Sequence, residues 1–202
     1  MSKVQVDTID TRSGTSTMQI GSTNTSTINI GVSGDTVNIP SGVTIANAGT
    51  ATGFGGDNTP AFLAGLSGDK GTYGAGATTK VQFDNQIVDT DDAYDPSTNF
   101  RFTVPSGASG NYMINISLDI QSTTNGRATN VSIYKNGGMV TTGGYFLTSQ
   151  YFQNDQPSIN TISQMLNLSA GDYIEAYGFM YDGGNHTFKA ARSFFSGYKL
   201  IT

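Results

Sequence analysis

Five stretches of apolar–polar alternation, each bounded by turn-forming residues, constrain this chain more than any other feature: Phe100–Val104, Tyr112–Ile120, Val131–Tyr134, Ile159–Ile162 and Tyr173–Phe179. A period of two sends successive side chains to opposite faces of the backbone, as in a half-buried strand. The separators are Pro105-Ser106-Gly107, Thr124-Asn125-Gly126, Asn136-Gly137-Gly138, Ser169-Ala170-Gly171-Asp172 and Asp182-Gly183-Gly184-Asn185. Gly and Asn in such clusters supply the positive φ angles and local hydrogen bonds that reverse a chain. No segment carries a helical period. Seven or eight strands of this kind predict an all-β fold, a sandwich or jelly roll.

The composition agrees. Twenty-six Gly, a single Glu (Glu175) and only 12 % charged residues suit strands and turns, while 11 Phe and 10 Tyr can fill a core without Trp. A net charge of −5 gives no electrostatic footprint for nucleic acid or an anionic membrane. The absence of Cys rules out disulfides and thiolate metal sites, so stability must come from packing, with oligomerisation as a further source. No run approaches the roughly 18 apolar residues of a membrane helix. The opening, Met1-Ser2-Lys3-Val4-Gln5-Val6-Asp7, has no apolar export segment. These features fit a virion part made in bacterial cytoplasm and released by lysis; export by a signal-independent route would look the same.

The N-terminal quarter obeys other rules. No aromatic precedes Phe54, and short motifs recur: Met18-Gln19-Ile20-Gly21, Ile28-Asn29-Ile30-Gly31, Val37-Asn38-Ile39 and Val43-Thr44-Ile45. Each reads as a short strand ended by a turn. One copy cannot bury so few aliphatic side chains against an ordering cost of roughly 1–2 kcal/mol per residue. Stacked repeats, or three intertwined copies, would give each aliphatic row a partner; disorder is the alternative for so polar a composition. Gly49–Gly56 reads as a hinge or neck. The expected organisation is an anchoring segment at 1–17, a repetitive β-stalk and neck at 18–56, and a globular head at 57–202.

Within the head, Phe83-Asp84, Tyr94-Asp95, Phe102-Thr103-Val104-Pro105 and Gly110-Asn111-Tyr112 resemble the first half of a C1q globular domain. Val131-Ser132-Ile133-Tyr134-Lys135-Asn136-Gly137 is similar to that family's hairpin, Leu168-Ser169-Ala170-Gly171-Asp172 to its strand junction, and Ser193–Ile201 to its closing strand. Pro60–Ala64 suits the opening strand. The sequence departs at Phe100, where the family has Gly. The resemblance implies a ten-stranded C1q/TNF-like jelly roll assembling as a homotrimer. More loosely, the run Asp35–Ile45 resembles the repetitive stalks of bacteriophage fibres.

Chemistry-bearing residues are sparse. The single His, His186, sits in a Gly-rich turn and reads as a surface loop residue; no Gly-x-Ser-x-Gly elbow accompanies it. The acidic run holding Asp89, Asp91 and Asp92 could bind calcium through hard oxygen ligands or stand as a solvated loop; it lacks the EF-hand pattern. Otherwise no cofactor is expected, and no enzymatic activity. Strand parity predicts that the loops near Ser122–Gly126, Thr148–Gln156 and Asp182–His186 share one apex. Tyr151, Phe152, Asn154 and Asp155, with Tyr181, Asn185 and His186, are the candidate receptor contacts. The aromatic–amide mixture at 148–156 suits carbohydrate and suits trimer packing equally.

The expected function is that of a trimeric bacteriophage tail or neck fibre. Its N-terminal segment would dock on other virion proteins, and its head would meet a host-surface receptor, with glycan as a candidate. An accessory neck or capsid fibre, a secreted C1q-like lectin and a depolymerase are the alternatives.

Overall fold

The computed structural model describes residues 20, 23–44, 58–122, 128–141, 145–148, 156–181 and 184–201. The anchoring segment at 1–17 lies outside them. The chain divides into two units, Met1–Ala51 and Thr52–Thr202.

In the first unit, turns recur at Thr23-Asn24, Ser33-Gly34 and Ser41-Gly42. Asp35 closes the middle one: its amide donates to the Val32 carbonyl (3.0 Å) and its carboxylate accepts from the Val32 amide (2.9 Å). The turn spacing follows the sequence motifs, but the expected strands do not form among the described residues of this unit. Ile28, Ile30, Val32, Val37, Ile39 and Val43 are all exposed. A single copy of so thin a segment offers these side chains nothing to pack against.

Among the described residues of the second unit all regular elements are strands. In order they are Ala61–Gly65 (β1), Lys70–Tyr73 (β2), Thr79–Lys80 (β3), Asn85–Asp89 (β4), Tyr94–Asp95 (β5), Arg101–Thr103 (β6) and Gly110–Ser122 (β7). Thr129–Lys135 (β8), Gly138–Met139 (β9), Tyr145–Thr148 (β10), Ser158–Leu168 (β11), Tyr173–Met180 (β12) and His186–Lys199 (β13) complete the set. One antiparallel sheet runs β11-β7-β13-β1-β4, with β2 on β13; the other runs β10-β8-β12-β6-β5, with β3 on β12 and β9 on β8. Neighbours in these sheets are far apart in sequence, as in a jelly roll.

Alternation sets the faces. Ile114, Ile116, Leu118 and Ile120 of β7 and Val131 and Ile133 of β8 point inward and are fully buried. Phe62 joins the two layers: its ring stacks on Tyr94 (5.2 Å) and Phe102 (4.7 Å) and meets Phe195 edge-on (4.8 Å). Gly197 makes room for it, because a Cβ there would lie 2.8 Å from Phe62 Cε1 and 2.7 Å from Ile114 Cδ1. The Asn136-Gly137 turn links β8 to β9 with both residues at positive φ (53° and 78°), the geometry of a tight hairpin.

Gly197→Ala should therefore cost about 1–3 kcal/mol by overpacking, and Phe62→Ala about 3–5 kcal/mol by leaving a cavity. Urea unfolding of the full chain reads both; an unchanged midpoint for Phe62→Ala would remove it from the centre of the core.

Candidate functional site

Strand register brings together the strand ends that flank the predicted apex loops. Ser122 of β7 pairs with His186 of β13, Ile120 with Ser158 of β11, and Thr129 of β8 with both Met180 of β12 and Thr148 of β10. The strand ends flanking all three loops thus lie at one end of the sandwich. Ala61, Tyr198, Gly110 and Leu168 define the opposite end, where β1 begins. Tyr151, Phe152, Asn154 and Asp155 lie outside the described residues.

Beneath the apex the interior turns polar. Ser122, Thr129, Ser158, Asn160 and His186 are all buried. Thr129 and Ser158 share a hydroxyl hydrogen bond (2.6 Å), and the Asn160 amide donates to Thr129 Oγ1 (2.9 Å). The expectation of a surface histidine is corrected here. His186 opens β13, is 0 % exposed, and lies among Tyr73, Phe188 and the backbone rung to Ser122. Its Nδ1 and Nε2 have no hydrogen-bond partner among the described residues. The turn ends one residue earlier than the sequence suggests, because Thr187-Phe188-Lys189 continues the ladder with β7. Asn185 is exposed, and its carbonyl accepts from Ser122 Oγ (3.1 Å).

Burial pushes the His186 imidazole below its ordinary pKa of 6.5. The unfolded chain therefore binds the proton first as pH falls, so this contribution is complete above about 6.5 and is lost below it. Carboxylates act in a lower window. Asp172, held at about 2 by Lys135, the Asn136 amide and the Ser169 N–H, keeps its contribution until pH falls below the ordinary 3.8.

The acidic run sits at the end opposite the apex. Asp89, the last residue of β4, directs one oxygen to the Ala93 amide (3.0 Å) and the other to the Tyr94 amide (2.8 Å), so it caps its own loop. Asp91 accepts from Thr90 Oγ1, and Asp92 adopts a positive φ of 50°. Asp95 is used in the same way by the Ser97, Thr98 and Asn99 amides. Among the described residues no group of three acids or histidines is placed to hold a metal; Asp91 and Asp92, with Asp95, line a hollow of about 300 Å³.

One concave feature escaped the sequence reading. On the outer face of the β8–β12 sheet, a cavity of about 320 Å³ is lined by Thr78, Asn130, Ser132, Tyr134, Met139, Phe179 and Tyr181. Tyr181 is thus the predicted contact that the structure places in a cavity. The sequence shows Val131–Tyr134 only as an alternating strand; the pairing of Asn130 with Phe179 was the missing information.

No protein-family model matches this sequence, and no curated protein matches it. Solved structures do match. The TNF Eiger from S. frugiperda superposes with a TM-score of 0.53 at 15 % identity, covering 69 % of this chain and 91 % of that one. The globular domain of zebrafish complement 1qA matches at a TM-score of 0.45 and 16 % identity, over 70 % of this chain and 98 % of that one. Murine APRIL matches at 0.48 and 13 %, over 69 % and 98 %. The Eiger match establishes a TNF-like jelly roll; at these identities the likeness concerns fold alone.

Lowering pH from 7.5 to 5 should reduce thermal stability in the wild type, and His186→Phe should flatten that dependence. Equal slopes in a melting series would show that His186 is not the group responsible.

Proposed function

We propose that this chain is a non-catalytic, homotrimeric fibre protein of a bacteriophage virion. In this reading the N-terminal segment docks on other tail or neck proteins and the jelly-roll head contacts the host surface. It works without a cofactor, and it is assembled in the bacterial cytoplasm. The repetitive, aromatic-free first quarter supports the fibre part of the reading, and the jelly roll supports the head.

One observation carries the trimer. The outer face of the β11-β7-β13-β1-β4 sheet displays Ile159, Met165, Phe194, Tyr198 and Val88 to solvent in a single copy, at 37–57 % exposure. Met165, Met113 and Tyr198 share one rung, and Leu63 opposite Val88 lies one outward position along; Phe194 and Ile159 follow further along, at the Ser117 and Asp119 rungs. An exposed apolar cluster like that around Met113 marks an interface. A ring of three copies would cover it, each presenting the patch to its neighbour. The opposite sheet carries the Lys80–Glu175 ion pair (2.5 Å) and the tilted pair of Tyr134 and Tyr177. The exposed aliphatic residues of the first unit make the same demand independently.

A trimer both for the full chain and for residues 58–202 is the expected result in native mass spectrometry. Met165→Asp should release folded monomers of the head. A wild-type head that is monomeric at micromolar concentration would overturn the assembly and, with it, the fibre.

A further inference from the structure

The cavity on the outer face of the β8–β12 sheet has a chemistry of its own. Val131 and Ile133 face the core, so Asn130, Ser132 and Tyr134 point outward. Yet Asn130 and Ser132 are only 5 % and 2 % exposed, forming the floor of a hollow. Buried polar groups are nearly always hydrogen-bonded. Here Ser132 Oγ reaches Asn130 Oδ1 only at 3.5 Å, and the Asn130 amide nitrogen donates to no acceptor among the described residues. The floor therefore holds unused donor and acceptor capacity.

The walls are rings. Tyr134 packs against Tyr177 with centroids 3.9 Å apart and planes tilted by 31°, and Phe179 meets Tyr181 at 6.2 Å and 65°. Tyr181 is 64 % exposed at the rim. Met139, opposite Tyr134 on β9, completes the apolar border. Among the described residues no charged side chain lines the hollow. Glu175, directly opposite Tyr134 on β12, is already paired with Lys80.

We infer that this hollow is a binding site for a neutral sugar ring of a surface glycan, an inference that rests on the head being a recognition module. A pyranose has an apolar C–H face that packs on aromatic rings and an equatorial rim of hydroxyls. Each hydroxyl both donates and accepts, so it can satisfy an amide and a serine hydroxyl side by side. A proline-rich peptide would also pack on the rings. Its prolines offer carbonyl acceptors to the Asn130 amide and the Ser132 and Thr78 hydroxyls, but no donor to the hydroxyl oxygens, which a sugar hydroxyl supplies. Charged sugars would meet no counter-charge. The volume lies at the lower end of the roughly 300–1,000 Å³ range of small-ligand sites, enough for one or two rings. The register puts Asn130 and Phe179 one rung from the apex, on the side that a ring of copies built through the other sheet leaves open.

The full chain should bind members of a printed array of neutral hexose- and N-acetylhexosamine-containing oligosaccharides. Titration of the best of these should show at least about a tenfold affinity loss for Tyr181→Ala, a rim change that spares the fold, and for Asn130→Ala with an unchanged circular dichroism spectrum. Retention of no glycan, or affinity unaffected by both variants and abolished by Tyr151→Ala, would overturn the site. Binding to proline-rich peptides in place of sugars, lost in Tyr181→Ala, would overturn the ligand class. Cell adsorption that Tyr181→Ala leaves intact counts against this site alone; glycan binding without any adsorption by the wild type counts against the host-attachment reading alone.

Discussion

Phe62 is the contact through which the two sheets of the head become one body. It comes from β1 in one layer and stacks on Tyr94 and Phe102 in the other, while meeting Phe195 edge-on within its own. Aromatic pairs in these geometries add to area burial, and here they converge on a single ring. The position works only because Gly197 on the adjacent strand lacks a side chain. The Tyr94 hydroxyl is satisfied by the Phe83 carbonyl (2.9 Å), so the cluster closes without an orphaned polar atom. Burial raises that hydroxyl's pKa, which keeps it a donor at any ordinary pH.

From that centre the interior grades from aromatic to polar. The half around Phe62, Phe83, Phe102 and Tyr112 is held by ring packing. The other half, under the loops, contains Thr129, Ser158, Asn160 and His186. Polar groups there are incompletely matched: Asn160 Oδ1 and both His186 nitrogens have no partner among the described residues. A core built this way places its firm packing away from the loops and its adaptable part directly beneath them. The bulge in β13 between Lys189 and Phe194 follows the same division. There Arg192 folds back onto buried Asp119 (2.7 Å), and Asp69 receives both the Ala190 amide and the Lys189 ammonium.

The strands of the head were legible because alternation and burial coincide. Tyr112–Ile120, Val131–Tyr134 and Tyr173–Phe179 each fall inside the strands that form. The departure at Phe100 was also informative. That residue takes a φ of 48°, a left-handed conformation costly for a bulky side chain and easy for Gly. The backbone thus keeps a turn that the local residue opposes. What was not legible depends on pairing. Lys70–Tyr73 and Thr79–Lys80 are strands only because β13 and β12 offer them edges. His186 looked like a turn residue because Gly183 and Gly184 precede it, and its burial depends on Tyr73, more than a hundred positions away in sequence. The acidic run left calcium and a solvated loop both open, because spacing cannot reveal that the Asp89 carboxylate is used by the Ala93 and Tyr94 amides. The outer-face cavity was invisible for the same reason, since Asn130 and Phe179 become neighbours only in the sheet.

The register of β1 against β13 has a mechanical meaning. Ala61 lies opposite Tyr198, so the head's incoming chain and its last strand meet at one end, with the loops at the other. Tension applied between the chain leading into Ala61 and a ligand held at the far end runs along the strands. The rungs from Ala61–Tyr198 to Gly65–Phe194 are then loaded together in shear, where peeling from a sheet edge would break them in sequence. β13 in turn is flanked by the long β7 ladder, which spreads the load into the widest part of the sheet. A head wired in this way resists being pulled from its base more strongly than being pried open at its side.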